Sequence, residues 1–131
     1  MKRLVCLAST CLTFLACGDS TGPGSVAGRY ALVSLNGAPL PAVFFQVLES
    51  KVEIMTGHIQ LNGDGTCSAS ATFQSTVVGL VETETQTDTC TWSQNITAIS
   101  ITFSDGTADT GSLIDGTITL NADDFVLVYR K

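Results

Sequence analysis

Cys67-Ser68-Ala69-Ser70-Ala71-Thr72-Phe73 alternates strictly: apolar residues stand at the odd positions and small hydroxyl residues between them. Successive side chains of an extended strand point to opposite faces, so this stretch lays one apolar and one polar row along a single strand. The same period of two recurs downstream. Cys90 and Trp92 oppose Thr89, Thr91 and Ser93; Ile99, Ile101 and Phe103 oppose Ser100, Thr102 and Ser104. Ile118 and Leu120 oppose Thr117 and Thr119, and Phe125, Leu127 and Tyr129 form one row of a last strand. One apolar face per strand marks an antiparallel sheet over a single core. Both Cys67 and Cys90 fall on that face.

Between these rows stand Asn36-Gly37, Asp64-Gly65, Asp105-Gly106 and Asp115-Gly116. Glycine accepts positive φ and Asn or Asp tolerates it, so all four read as turns. Asp115-Gly116 is the cleanest two-residue hairpin, joining Gly111–Ile114 to Thr117–Leu120. Asp123-Asp124 reads as a further turn. Two stretches are less regular. Ala42 to Glu53 lacks tidy alternation and reads either as an irregular strand or as a short helix; Pro39 and Pro41 place a loop before it. Val77 to Val81 is an apolar run broken by Gly79, a strand bend or bulge. The expected fold is all-β: a small antiparallel up-and-down barrel of about eight to ten strands, with a β-sandwich as the alternative. An immunoglobulin domain places tryptophan between its cysteines, whereas Trp92 follows both. Closing the sheet removes exposed edges, which favours the barrel.

The N-terminus carries a different signal. Lys2 and Arg3 precede an apolar run of 13 residues, Leu4 to Ala16. A bilayer-spanning helix needs ~20 residues, so the run reads as the n- and h-regions of an export signal. Phe14-Leu15-Ala16-Cys17-Gly18 resembles the lipobox of bacterial lipoprotein signal peptides. That resemblance implies diacylglyceryl transfer to the Cys17 thiol, cleavage after Ala16 and acylation of the new N-terminus. The alternative is an ordinary secretory signal, but no A-x-A cleavage site competes nearby. Residues 1–16 are then the signal peptide, 17–27 a lipidated N-terminus and flexible tether, and 28–131 a single β-barrel domain. The protein is expected in the cell envelope, facing the periplasm or the cell surface. Gly18 after the cysteine leans the assignment towards the outer membrane.

Cleavage sorts the cysteines. Cys6 and Cys11 leave with the signal, and Cys17 carries lipid. Cys67 and Cys90 remain in an oxidising compartment, which favours pairing them; two buried free thiols are the alternative. A bridge between them would stabilise the fold by ~3 kcal/mol on the chain-entropy model. Losing Lys2 and Arg3 takes the net charge from −6 to −8. An acidic surface without a basic cluster excludes nucleic-acid binding.

Gly28-Arg29-Tyr30 at the first strand and Arg130 on the last are similar to small lipocalin-like domains. So are the run Gly28 to Gly37, Leu40-Pro41 and Leu61-Asn62-Gly63-Asp64-Gly65-Thr66. Lipocalins open with Gly-x-Trp, and an arginine from the closing strand packs over that tryptophan. The resemblance covers most of residues 28–131. It implies a lipocalin-like barrel, a Tyr30–Arg130 cation–π pair worth ~0.5–2 kcal/mol, and a small apolar ligand in the interior.

Catalytic chemistry has little to build on. His58 is the one histidine and reads as a surface residue, without an HExxH or CxxC pattern beside it. Asn62 to Thr66 lacks the closing glutamate of a helix–loop–helix calcium site and reads as a hairpin turn. Glu82 and Glu84 share a strand face with Asp88 beyond, and Thr83, Thr85 and Thr87 between them mark a solvated strand. With Glu53, they are the sole route to a carboxylate-only hydrolase. Asn95-Ile96-Thr97 matches a glycosylation sequon by accident in a bacterial lipoprotein. No cofactor or metal signature is present. The expected protein is a monomeric, non-enzymatic envelope lipoprotein, anchored through Cys17, that binds a small apolar ligand. The alternative is an interaction or structural module whose barrel is filled by its own side chains.

Overall fold

The computed structural model describes residues 26–131. Ten strands follow in order: β1 Gly28–Leu35, β2 Ala38–Pro39, β3 Ala42–Val47, β4 Ser50–Leu61, β5 Thr66–Val77, β6 Leu80–Asn95, β7 Ala98–Phe103, β8 Ala108–Ile114, β9 Thr117–Ala122 and β10 Phe125–Arg130. Turn chemistry joins them as expected. Asn36-Gly37 and Asp115-Gly116 both take positive φ, with values of 51° and 85° in the first pair and 52° and 75° in the second. Such left-handed pairs match the twist of the strands they connect. Asp64 accepts hydrogen bonds from the Thr66 amide and hydroxyl at 3.0 and 2.7 Å. Asp105 accepts the same pair from Thr107, so two Asp-Gly-Thr turns repeat one local solution.

All strands belong to one antiparallel sheet, in the order β2-β1-β10-β9-β8-β7-β6-β5-β4-β3. It closes where Gly28–Ala31 of β1 pairs with His58–Leu61 of β4. Eight strands therefore form a closed up-and-down barrel, and the sandwich alternative is set aside. The two short strands flank the seam. Past Ala31, β1 leaves β4, and its far end carries β2 (Ser34 opposite Pro39). The near half of β4 instead carries β3, with Ala42 opposite Ile54 and Val47 opposite Ser50. Pro39 thus lies in an edge strand, where a missing N–H costs no ladder bond.

The uneven stretch from Ala42 to Glu53 is a hairpin rather than a helix. Its alternation breaks because a bulge sits between Val43 and Phe45. Its turn is Leu48-Glu49, with Leu48 at φ 45°. Val78-Gly79 is likewise a hairpin turn and not a bend inside a strand: Val77 pairs with Leu80 across it.

The inward rows form the core. Tyr30, Leu32, Leu35, Ile59, Leu61, Cys67, Cys90, Trp92, Ile99, Ile101, Leu113, Ile118, Leu120 and Tyr129 are all buried in one cluster. Phe73, Phe103 and Phe125 pack partly buried against it. Burying a large apolar side chain stabilises by ~1.5–3 kcal/mol, so this cluster supplies the main cohesion of the domain. These side chains line the inner face of the barrel and pack against one another.

Candidate functional site

The two ends of the barrel differ. Topology puts the start of β1, the end of β10 and the β4–β5, β6–β7 and β8–β9 turns at one end. That end is sealed. Trp92 donates its indole N–H to the Asn62 carbonyl at 2.9 Å, and its amide donates to Gly65 at the same distance. Tyr30 is 1% exposed and donates its hydroxyl to the Val26 carbonyl at 2.6 Å. The cation over its ring is Lys131, with Nζ 5.6 Å from the centroid, and not Arg130. The alternation of β10 explains this correction: Tyr129 points inward, so its neighbour Arg130 is turned outward and exposed.

Cys67 and Cys90 face one another across β5 and β6, 4.8 Å apart at Cα, with their Sγ atoms at disulfide distance. They lie in an inward row that runs from Leu61 through both cysteines to Phe103. Cys17, the signal segment 1–16 and the tether up to residue 25 fall outside the described residues.

At the opposite end, the mouth, Phe44 stacks on Phe125 with centroids 4.7 Å apart and meets the edge of Phe73 at 5.7 Å. Phe44 is the bulge residue of β3, freed to turn inward over the mouth. Asp109, which the sequence reading passed over, stands at the same end of the barrel, at the start of β8. Extending the β8 row Leu113, Gly111 by one step places Asp109 inward. Burial raises its carboxyl above the ordinary value, and the charges of Asp123 and Asp105 push the same way. Burial also pushes the inward Tyr129 hydroxyl up to about 12, with Asp109 adding to the effect.

A carboxyl raised in the folded state lends stability below its unfolded value and loses it as pH rises through the folded value. Asp109→Asn should therefore raise the thermal midpoint at neutral pH, and the gain should vanish near pH ~3. Thermal unfolding at both pH values checks this; an unchanged midpoint at neutral pH would contradict it.

The mouth is overhung on one side. Strand β7 stops opposite Cys90, but β6 begins ten residues earlier, at Leu80. The hairpin β5–β6 and the hairpin β3–β4 therefore run on together as a four-stranded arm. Every residue from Leu80 to Thr89 is exposed, as is every residue from Val43 to Glu49. The tip bears Leu48 at 99% exposure, Leu80 at 74% and Val78 at 70%. Glu82, Glu84, Gln86 and Asp88 lie on the same face of β6 as Cys90, towards the mouth.

The remaining sequence candidates stay apart. His58 accepts from the Arg29 guanidinium at 3.2 Å on the outer wall, and partial burial, then Arg29, hold its ring below the ordinary value. Glu53 lies on the outer face of β4 and pairs with Lys51 at 3.8 Å, whereas Glu82 and Glu84 take the inner face. Among the described residues, no three His, Cys, Asp or Glu side chains converge to hold a metal ion. An open depression of about 550 Å³ on the outer wall is lined by uncharged residues such as Ser93, Asn95, Ser112 and Asn121.

The chain matches no family model, and no curated protein or solved structure shows significant similarity to it. Fold and site thus rest on the geometry alone.

Proposed function

We propose that the protein is a non-enzymatic, lipid-anchored module of the bacterial cell envelope, whose lipocalin-like barrel is a scaffold and whose arm docks a protein partner. One observation carries this reading. Among the described residues, nine of the twelve exposed large apolar side chains lie on the arm, between Val43 and Val81, with Leu48 at its tip the most exposed. A contiguous exposed apolar patch rimmed by polar groups is the usual mark of a docking surface.

Charge supports the orientation. Arg29, Arg130 and Lys131 lie at the sealed end, where the chain enters at Val26, and outnumber Asp64 and Asp115 in the turns there. Glu82, Glu84, Asp88, Asp105, Asp109, Asp123 and Asp124 lie on the arm and around the mouth. A tether leaving the sealed end would hold its cations towards anionic lipid and lift the acidic arm away from it. Cys67 and Cys90, bridged in the oxidising envelope, tie β5 to β6 at the root of the arm.

Two measurements test the reading. Cys17→Ala should move the protein from the membrane fraction to the soluble fraction; a variant that stays on the membrane would refute the anchor. Native mass spectrometry of the purified protein should show no co-purifying molecule, and hydrophobic fluorescent probes should give no saturable uptake. A stoichiometric apolar ligand would overturn the scaffold role.

A further inference from the structure

The free edge of β6 goes further than the apolar tip, because it specifies the partner's backbone and charge. We propose that Leu80–Thr89 is an augmentation edge that accepts an extended, basic segment of a partner protein as an added strand. This rests on the reading of the arm as a docking surface.

The first observation is the edge itself. Along these ten residues β6 pairs with β5 on one side, and β7 begins to pair only at Cys90. The two-residue turn Val78-Gly79 sets the phase. In such a hairpin the flanking pair, Val77 and Leu80, is hydrogen-bonded, and bonded pairs alternate from there. Leu80, Glu82, Glu84, Gln86 and Asp88 therefore bond to β5. Val81, Thr83, Thr85 and Thr87 turn their N–H and C=O groups to the open side. Thr89, next in that series, shows the direction: its carbonyl accepts from Ser104, beyond the tip of β7. An added strand would continue the ladder that Ser104 begins.

The second observation is charge. The even residues place Glu82, Glu84 and Asp88 on one face of the edge, and the odd residues place threonines on the other. Cross-strand neighbours pair by charge, so an added strand gains from Lys or Arg on one face and from Thr or Val on the other. The same pattern turns away a second copy of this chain. Antiparallel β6–β6 pairing centred on Thr85 sets Glu82 against Asp88 in both directions, and like charges directly opposed are unfavourable.

The test uses the purified full chain and a fluorescent nine-residue peptide of alternating lysine and threonine, read by anisotropy. Controls are the same peptide with glutamate for lysine, and the lysine peptide N-methylated on alternate amides. Saturable binding of the lysine peptide is expected, weakening with added salt, and lost by about tenfold or more on N-methylation. Thr85→Pro should weaken it comparably while leaving thermal unfolding near that of the parent, because the amide it removes faces the open side and the one side-chain hydrogen bond it loses, to the Thr72 hydroxyl, is exposed. The triple change Glu82→Gln, Glu84→Gln, Asp88→Asn should also weaken it severalfold. Equal binding of the glutamate peptide, no binding of either, undiminished binding of the N-methylated peptide, or a dimer of the chain that Thr85→Pro dissolves would each overturn the proposal. Failure here with partner contacts still mapping to Leu48 and Val78 would sink the edge and leave the docking arm standing.

Discussion

Gly111→Ala should be among the most damaging single substitutions in the domain. A Cβ at Gly111 would collide with the carbonyl oxygen and carbon of Thr119 and press on the Cα of Leu120. All three are backbone atoms of β9, the strand paired with β8 at this point. A flexible side chain could swing aside; a paired strand cannot. Relief requires β8 and β9 to part, and β9 carries Ile118 and Leu120, which are 0% and 1% exposed. Glycine inside a strand is a mark of such close backbone approach. Overpacking a well-filled core costs ~1–3 kcal/mol, and a clash with backbone belongs at or above the top of that range. Small domains hold a total of ~5–15 kcal/mol, so the variant should lose about 12 °C or more in thermal midpoint. Circular dichroism melts of the two proteins decide it. A shift within a few degrees would mean that β8 and β9 do not approach as described.

Trp92→Ala carries the second large effect. The indole is 7% exposed and closes the sealed end, and its N–H reaches back to the turn between β4 and β5. Truncation leaves a cavity under that turn and leaves the Asn62 carbonyl with the Gly65 amide alone, at 3.1 Å. Large aromatic truncations of this kind cost ~3–5 kcal/mol. Trp92→Phe separates the two contributions: it keeps most of the ring volume and loses the hydrogen bond, and should cost ~1–2 kcal/mol. Denaturant midpoints measured for both variants give the comparison. If both cost the same, packing at the sealed end is not what Trp92 provides.

Much of the barrel was written in residue patterns that act locally. The rows Cys67 to Phe73, Ile99 to Phe103 and Ile118 to Leu120 needed only the period of two to place their inner faces. Asn36-Gly37 and Asp115-Gly116 announced hairpins because glycine relieves positive φ. Two turns escaped for the same physical reason in reverse. Leu48 and Val78 adopt positive φ at 45° and 49°, although neither residue favours it. The pairing of long strands on either side imposes that conformation, and no local preference signals it. The bulge at Phe44 then scrambled the alternation of β3, so a strand read as ambiguous.

The site was harder to see. Glu82, Glu84 and Asp88 were legible as a solvated row, but a solvated row and a free docking edge look alike in sequence. Only the stagger between β6 and β7 distinguishes them, and that depends on where β7 starts to pair. Closure of β1 on β4 is equally nonlocal, linking residues about thirty positions apart. The polarity of charge between the sealed end and the mouth follows from that closure. Asp109 was within reach, since its row was already drawn as far as Gly111.

Site-specific photo-crosslinking in cells tests the central claim most directly. A photoreactive residue is placed in turn at Leu48, Val78 and Thr85 on the arm, and at Ser112 and Asn121 on the barrel wall, in the otherwise unaltered full chain. The expected result is a discrete protein adduct from the arm positions and none from the wall. Adducts from Ser112 and Asn121 with none from the arm would contradict the claim that the barrel is the scaffold and the arm its working surface.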